Sequence, residues 1–166
     1  MRIIPFFLDI SFDREDDGFP IRPTDPVEAV NLGYFNGEKL VPYTYEADDA
    51  GWRSVADWIV SFSKNGLVSP VGWELRSILW PALTMNLTRM KLRIPSGMLL
   101  PLDKRWNNLE MVDLSNLVMQ SGYTDWRPSL RDVHRFFANG ADEKKSRLEM
   151  TYDIYAIYAE MNGSGA

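Results

Sequence analysis

The chain has 166 residues, of which 45% are hydrophobic and 25% charged, and a formal net charge of −5; these values are ordinary for one globular domain. It contains no cysteine, which excludes disulfides and thiolate metal sites within the chain. The acidic balance argues against non-specific wrapping of nucleic acid, because a basic surface supplies much of that affinity. Any nucleic-acid contact therefore has to be local.

The first ten residues contain an apolar run that Pro5 and Asp9 interrupt. This run is too short for a signal peptide or a membrane span. We therefore expect a cytoplasmic protein with no membrane partner. We also expect one domain over residues 1–162 and a flexible tail over residues 163–166.

The first predicted strand runs from Ile3 to Ser11 and carries Asp9 among apolar residues. Successive side chains of a strand alternate between its faces, so Asp9 and Ser11 point the same way. A buried carboxylate without a partner is costly. Asp9 therefore indicates a functional site, with a structural pair to an arginine or a helix amino terminus as the alternative.

The next predicted feature is a hairpin, because Asn36-Gly37 separates two extended, aromatic-rich runs. Asn-Gly is the preferred pair for a two-residue turn, in which both central residues need a positive φ. The two runs are the second and third predicted strands, and we expect them to pair antiparallel.

The rest of the chain alternates between helices and short strands. Asp48 or Asp49 is expected to cap the first helix, and Pro81 to kink the second helix or mark its first turn. Asp113 follows a late strand, and we expect it to cap the next helix. The predicted segments after the first helix are residues 67–72 (strand), 73–94 (helix), 109–120 (strand into helix), 129–137 (helix) and 144–161 (helix). This order predicts a mixed α/β sheet with helices packed on it.

The order FFLDI, FNGE hairpin, helix, GWELRSILWPAL, MVDLSNL and MTYDIYAIY resembles the DEDD superfamily of 3′–5′ exonucleases. Its stand-alone branch akin to family-B polymerase proofreading domains is the most similar. The resemblance spans nearly the whole chain and implies an RNase H-like α/β fold, with a five-stranded mixed sheet flanked by helices. It also implies phosphodiester hydrolysis by two carboxylate-held cations, Mg or Mn.

The family's first two motifs are altered in this chain. The Asp-x-Glu motif of the first strand reads Asp9-Ile10-Ser11, so its glutamate is a serine. The Asn-x-x-x-Phe-Asp motif aligns with residues 74–79, which puts Glu74 at the asparagine and Leu79 at the metal-binding aspartate. Leucine cannot bind a cation.

The third motif is an aspartate on the final helix, with a tyrosine four residues earlier or a histidine five residues earlier. Asp153 matches the aspartate, whereas Glu149 stands at the tyrosine position and Leu148 at the histidine position. Two of the four expected metal carboxylates, Asp9 and Asp153, thus remain. His134, the only histidine, is expected at a surface position of a short helix.

The resemblance leaves three functional hypotheses open. The first is a catalytically degenerate exonuclease-like domain without a metal cofactor, serving as an accessory or scaffold in nucleic-acid processing. The second is an active, Mg- or Mn-dependent 3′–5′ exonuclease whose relocated site uses Asp9, Glu74, Glu149 and Asp153. The third is a protein-interaction subunit that does not contact nucleic acid.

Two basic groups are candidates for gripping a phosphate backbone, with a tryptophan as a stacking face. Their alternative is an ordinary solvated surface. The candidate nucleic-acid-binding residues are Arg89, Lys91, Arg93, Lys104, Arg105 and Trp106. The expected partners are single-stranded nucleic acid or a protein of a nucleic-acid-processing complex.

Overall fold

The computed structural model describes residues 3–14, 20–94, 111–120, 128–138 and 144–163. The loop residues Lys104, Arg105 and Trp106, and residues 164–166 of the expected tail, lie outside this part of the chain. The elements are β1 (Ile3–Phe12), β2 (Val27–Phe35), β3 (Leu40–Glu46), α1 (Asp49–Ser63), β4 (Leu67–Gly72), a π-helical turn (Leu75–Leu79), α2 (Trp80–Arg89), β5 (Val112–Asp113), α3 (Leu114–Gln120), α4 (Leu130–Phe137) and α5 (Arg147–Met161).

The five strands form one mixed sheet in the order β3-β2-β1-β4-β5. β1 pairs antiparallel with β2, and β2 pairs antiparallel with β3. β4 lies parallel to β1 on its other side, and β5 lies parallel to β4. The mixed α/β sheet predicted from the element order is therefore confirmed.

Each face of the sheet has its own core, because β1 alternates its side chains between the two faces. Phe6, Leu8 and Ile10 pack with α1 and α2. Phe7 packs with α5 on the opposite face, where its ring contacts Tyr152. Asp9 and Ser11 share the face of Phe7, so the carboxylate is directed toward the α5 side of the sheet.

The turn between β2 and β3 is longer than predicted. Phe35 pairs with Leu40, which leaves residues 36–39 in the loop. Asn36 accepts hydrogen bonds at Oδ1 from the backbone N–H groups of Glu38 and Lys39, at 2.9 and 3.0 Å. Gly37 has φ = +103°, whereas Asn36 is not among the described residues with positive φ. The asparagine therefore closes the loop with its side chain, as in an Asx turn.

The predicted second helix is divided and shorter than expected. Its first part is the π-helical turn, and α2 begins at Trp80 with Pro81 in its first turn. α2 ends at Arg89 because Lys91 adopts a left-handed conformation, φ = +56°. The N–H of Leu92 donates to the carbonyl of Leu87, the 6→1 bond of a Schellman motif that ends the helix. Within the described residues, no helix is long and apolar enough to cross a membrane.

Asp48 caps α1, as one of the two predicted candidates. Its Oδ1 accepts a hydrogen bond of 2.6 Å from the backbone N–H of Gly51. We expect Asp48→Ala to lower the free energy of unfolding by about 1 kcal/mol, the usual cost of losing such a cap. Asp49→Ala is the matched control and should cost only a few tenths, because Asp49 acts through the helix dipole. Equal losses for both variants in urea unfolding would contradict this assignment.

Candidate functional site

Asp9 is an almost fully buried acid, 2% exposed, on the α5 face of β1. Its Oδ1 accepts a hydrogen bond of 3.1 Å from Nε of Arg147. Burial raises the pKa of the Asp9 carboxyl above its usual range, and the Arg147 guanidinium opposes that rise. The ionised form of Asp9 is therefore a net cost to the fold, only partly offset by its partner.

The first turn of α5 is held tightly against the sheet, which brings Arg147 to Asp9. A Cβ added at Gly33 of β2 would lie 3.0 Å from Cδ2 of Leu148. Glycine at this strand position therefore allows the close approach of the helix. Leu148, at the position of the family's histidine, is buried in the core on this face.

Polar side chains continue from Asp9 across the neighbouring strands. Asn31 of β2 lies opposite Asp9, and Thr44 of β3 lies opposite Asn31. Thr44 donates a 2.8 Å hydrogen bond to Oδ1 of Asn31. The amide of Asn31 lies 3.5 Å from Oγ of Ser11, a long contact. Ser11 thus borders a polar row across three strands.

Asp153, on α5, has two partners of its own. Its Oδ2 lies 2.7 Å from Nζ of Lys145 and 2.8 Å from Nε2 of His134. His134 is 2% exposed, and the predicted surface position was wrong. His134 lies on a buried face of α4, and Asp153 of α5 is its polar partner. The residue pattern of α4 alone does not reveal this partner.

Glu149 lies in the cap of α5. Its backbone N–H donates to Oγ of Ser146 at 3.2 Å, and the hydroxyl of Ser146 donates to Oε1 of Glu149, also at 3.2 Å. Ser-x-x-Glu is the capping-box signature, and it explains why α5 begins at Arg147 rather than at Lys144 as predicted. The Glu149 side chain is exposed.

Glu74 precedes the π-helical turn in a left-handed conformation, with φ = +55°. Such a conformation is uncommon for a residue with a side chain and marks local strain. Leu79, at the family's metal-binding aspartate, is 4% exposed and packs in the core of the other face. Glu74, Leu79 and Ser11 line one cavity of about 510 Å³, together with Arg147.

Asp113 is a buried acid that joins three elements at the end of β5. Its Oδ1 accepts from the N–H and the hydroxyl of Ser115, at 3.1 and 2.6 Å. This contact confirms the predicted cap of α3. Its Oδ2 also accepts a 2.9 Å hydrogen bond from the N–H of Arg76 in the π-helical turn. Asp113 therefore also positions the segment that follows Glu74.

The described candidate basic residues surround the end of α2. Arg89, Lys91 and Arg93 are all exposed. The Arg89 guanidinium donates to Oδ1 of Asn86 at 2.9 Å. Positive charge at the carboxyl end of a helix is favourable by itself, so these three residues do not need a ligand to explain their position. The role of Arg89, Lys91 and Arg93 in nucleic-acid binding stays a prediction.

The described residues do not fit a two-cation centre. None of their His, Cys, Asp and Glu side chains form a group of three or more that could hold a metal ion. Magnesium prefers several hard oxygen ligands in octahedral geometry, whereas Asp9 contacts Arg147 and Asp153 contacts Lys145 and His134. The conditional Mg or Mn cofactor therefore stays a prediction.

The arginine partner expected as the alternative for Asp9 is present, but sequence reasoning did not identify it as Arg147. It missed the positive partner of Asp153 and the neighbour of Asp9 in the sheet. Arg147 contacts Asp9 across 138 residues of sequence, which no local pattern indicates. Lys145 lies just before the cap of α5, so nothing in its surroundings distinguishes it from a solvated lysine. Asn31 did carry a signal, because it is a polar residue between the apolar Val30 and Leu32 in the middle of a strand.

No protein-family model matches the chain, and no curated protein matches it either. Solved structures do match. A product-bound structure of exonuclease I has a TM-score of 0.61 and 16% identity, covering 97% of this chain and 44% of that chain. E. coli exonuclease I in complex with a dA13 oligonucleotide has a TM-score of 0.59 and 15% identity, covering 96% of this chain and 41% of that chain.

The chain spans less than half the length of these two exonuclease structures. At such low identity the likeness concerns the fold, and it covers nearly the whole chain. The five-stranded mixed sheet and the flanking helices agree with that likeness. The chain therefore has an RNase H-like fold, that of exonuclease I, which confirms the fold class predicted from the sequence.

Proposed function

We propose that this chain is a catalytically degenerate exonuclease-like domain that serves as an accessory or scaffold in nucleic-acid processing. One observation carries the proposal. The two acids that match the family's metal carboxylates each have a positive partner from the chain itself, Arg147 at Asp9 and Lys145 at Asp153.

Charge compensation supports this proposal. A two-cation site stabilises the attacking and the leaving oxygen of a phosphodiester through clustered negative ligands. Here two carboxylates are matched by a guanidinium and an ammonium at 3.1 and 2.7 Å. A divalent ion would have to displace cations that are tethered in place. Asp9 and Asp153 are therefore poor ligands for Mg²⁺ or Mn²⁺.

The other positions of the family pattern point the same way. Leu79 and Leu148 stand where the resemblance expects a metal ligand and a water-orienting histidine, and both are 4% exposed in apolar cores. Neither side chain can bind a cation or a water molecule. Glu149, in the alternative relocated site, hydrogen-bonds with the cap residue Ser146.

The test uses a 5′-labelled single-stranded oligonucleotide with Mn²⁺ and, in parallel, with EDTA. We expect salt-dependent binding, because the contacts are to phosphates, and no shortening of the strand. Asp9→Ala and Asp153→Ala variants, purified in the same way, identify any contaminating nuclease. Shortening that disappears in Asp9→Ala would overturn the proposal in favour of an active enzyme that uses Glu74 and Glu149.

Failure to bind any oligonucleotide would instead favour the protein-interaction subunit. The position of the chain near family-B polymerase proofreading domains stays a prediction from sequence. Its cytoplasmic location is likewise part of this proposal.

A further inference from the structure

The cavity beside Ser11 holds no acid at two positions where the resembled family has one. Ser11 and Leu79 line it at the positions of a family glutamate and a family aspartate. A hydroxyl and an isobutyl group therefore stand where two carboxylates would face a cation. The cavity also contains two arginines, Arg14 and Arg147, of which Arg14 pairs with Asp25 at 2.9 Å.

The Arg147 side chain is held by Asp9 and is still about half-exposed. Its Nε donates to the buried Asp9, while its side chain is 48% exposed. A guanidinium has five N–H donors in a fork, and apart from this bond Arg147 donates to no described residue. Because Asp9 already orients the guanidinium, a ligand that binds it has less side-chain entropy to offset.

We propose that this cavity binds the phosphate group of a nucleotide directly through Arg147, where the resembled family uses metal ions. The inference rests on the proposed function and deepens it. Arginine suits phosphate because its planar fork forms two parallel, charge-assisted hydrogen bonds. The ligand is a nucleoside monophosphate, either free or as the terminal unit of a strand.

The size and the walls of the cavity suit such a ligand. About 510 Å³ lies within the range of small-molecule sites, roughly 300–1,000 Å³. Apolar and aromatic walls can receive the base while the arginine holds the phosphate. These walls are formed by Ile10, Phe12, Ile21, Trp73, Ile78 and Leu130.

Two other polar groups of the cavity modify the site. Ser129 lines it and caps α4, accepting a 3.1 Å hydrogen bond from the N–H of Asp132. Glu74 also lines the cavity and takes part in an interaction of its own.

The test is calorimetric titration of the whole chain with AMP in EDTA, with adenosine and inorganic phosphate as partial ligands. We expect AMP to bind better than either partial ligand. Arg147→Gln should weaken AMP binding at least about tenfold, and Arg147→Lys by less, because lysine keeps the charge but loses the fork. Arg53→Gln, at an exposed arginine of α1, should leave the affinity unchanged.

A second pair of variants keeps Arg147 and its contact with Asp9. Ser11→Glu restores a carboxylate in the cavity and should weaken AMP binding about tenfold, whereas Ser11→Gln has the same size without the charge and should weaken it less. Equal affinities for these two variants would overturn the proposal. So would AMP binding that is lost in EDTA and returns with Mg²⁺.

The free and the strand-bound ligand are separated by a 3′-phosphorylated single-stranded oligonucleotide. If only this strand binds in an Arg147-dependent manner, the terminal unit is the ligand; if AMP binds as well, the free nucleotide suffices. No Arg147-dependent binding of either probe overturns the inference. An oligonucleotide that binds uncut and equally well to Arg147→Gln defeats this inference alone, whereas cleavage with Mn²⁺ defeats the proposed function.

Discussion

Replacing Arg147 with methionine should lower the free energy of unfolding by about 2 kcal/mol at neutral pH, because it leaves the Asp9 carboxylate buried without a positive partner. The loss is smaller than the ~3–5 kcal/mol of a fully buried broken pair, since the Arg147 side chain is 48% exposed and water screens it. Methionine keeps much of the length of arginine and so limits the packing change. Urea unfolding at constant ionic strength measures the difference.

The pH dependence of this loss identifies its origin. Burial raises the pKa of Asp9 above the unfolded value of 3.8, so the folded protein binds this proton more tightly. The stability that the group contributes is fully present below pH 3.8 and is lost as the pH rises through the folded pKa. Without Arg147 the folded pKa rises further, because the interaction that lowers it is gone.

The destabilisation by Arg147→Met should therefore be small near the unfolded pKa of Asp9 and grow toward neutral pH. Asp9→Asn is the matched variant: it removes the buried charge and should raise the free energy of unfolding at neutral pH. In an Asp9→Asn background, Arg147→Met should cost much less than it does alone. A loss of stability that is the same at acidic and neutral pH would show that packing, not charge, accounts for the effect.

Asp113→Ala should lower the free energy of unfolding by about 3 kcal/mol, since it removes three hydrogen bonds around a buried site. The cap of α3 is lost, and the N–H of Arg76 in the π-helical turn loses its acceptor. Burying an unsatisfied donor adds its desolvation cost to the lost cap. Chemical denaturation again measures the loss.

Two milder variants separate the contributions of the individual hydrogen bonds of Asp113. Asp113→Asn keeps one carbonyl oxygen and should lose about 1 kcal/mol, whereas Ser115→Ala removes only the hydroxyl donor and should lose less than that. If Asp113→Ala unfolds at the same urea concentration as the unaltered protein, the junction of β5, α3 and the π-helical turn does not depend on this carboxylate.

The local features of the fold were predictable because they depend on neighbouring residues. The alternation along β1 correctly directed Asp9 and Ser11 to one face. The cap of α1 at Asp48 and the first-turn position of Pro81 followed from side-chain and ring geometry within a few residues. The hairpin was correct in existence and wrong in length, because the Asn36 side chain bonds to the loop and replaces a second residue of positive φ.

The chemistry of the candidate site was only partly predictable. Asp9 was recognisable because an acid in an apolar strand requires a partner. The pattern could not name Arg147 as that partner, since the contact joins residues 138 positions apart. His134 was assigned to the surface for the same reason: α4 by itself does not reveal that Asp153 of α5 covers it.

The sequence by itself therefore determined the element order, the α/β class and the presence of a buried carboxylate on the first strand. These features follow from side-chain periodicity, turn chemistry and the cost of burying charge, all of which act over short distances along the chain. Only the tertiary structure decided which charges neutralise which acids, and that Ser11, Leu79 and Arg147 share one cavity. These contacts depend on how closely α5 packs on the sheet, which Gly33 allows by leaving room for Leu148. Packing between distant segments leaves no periodic pattern in the sequence.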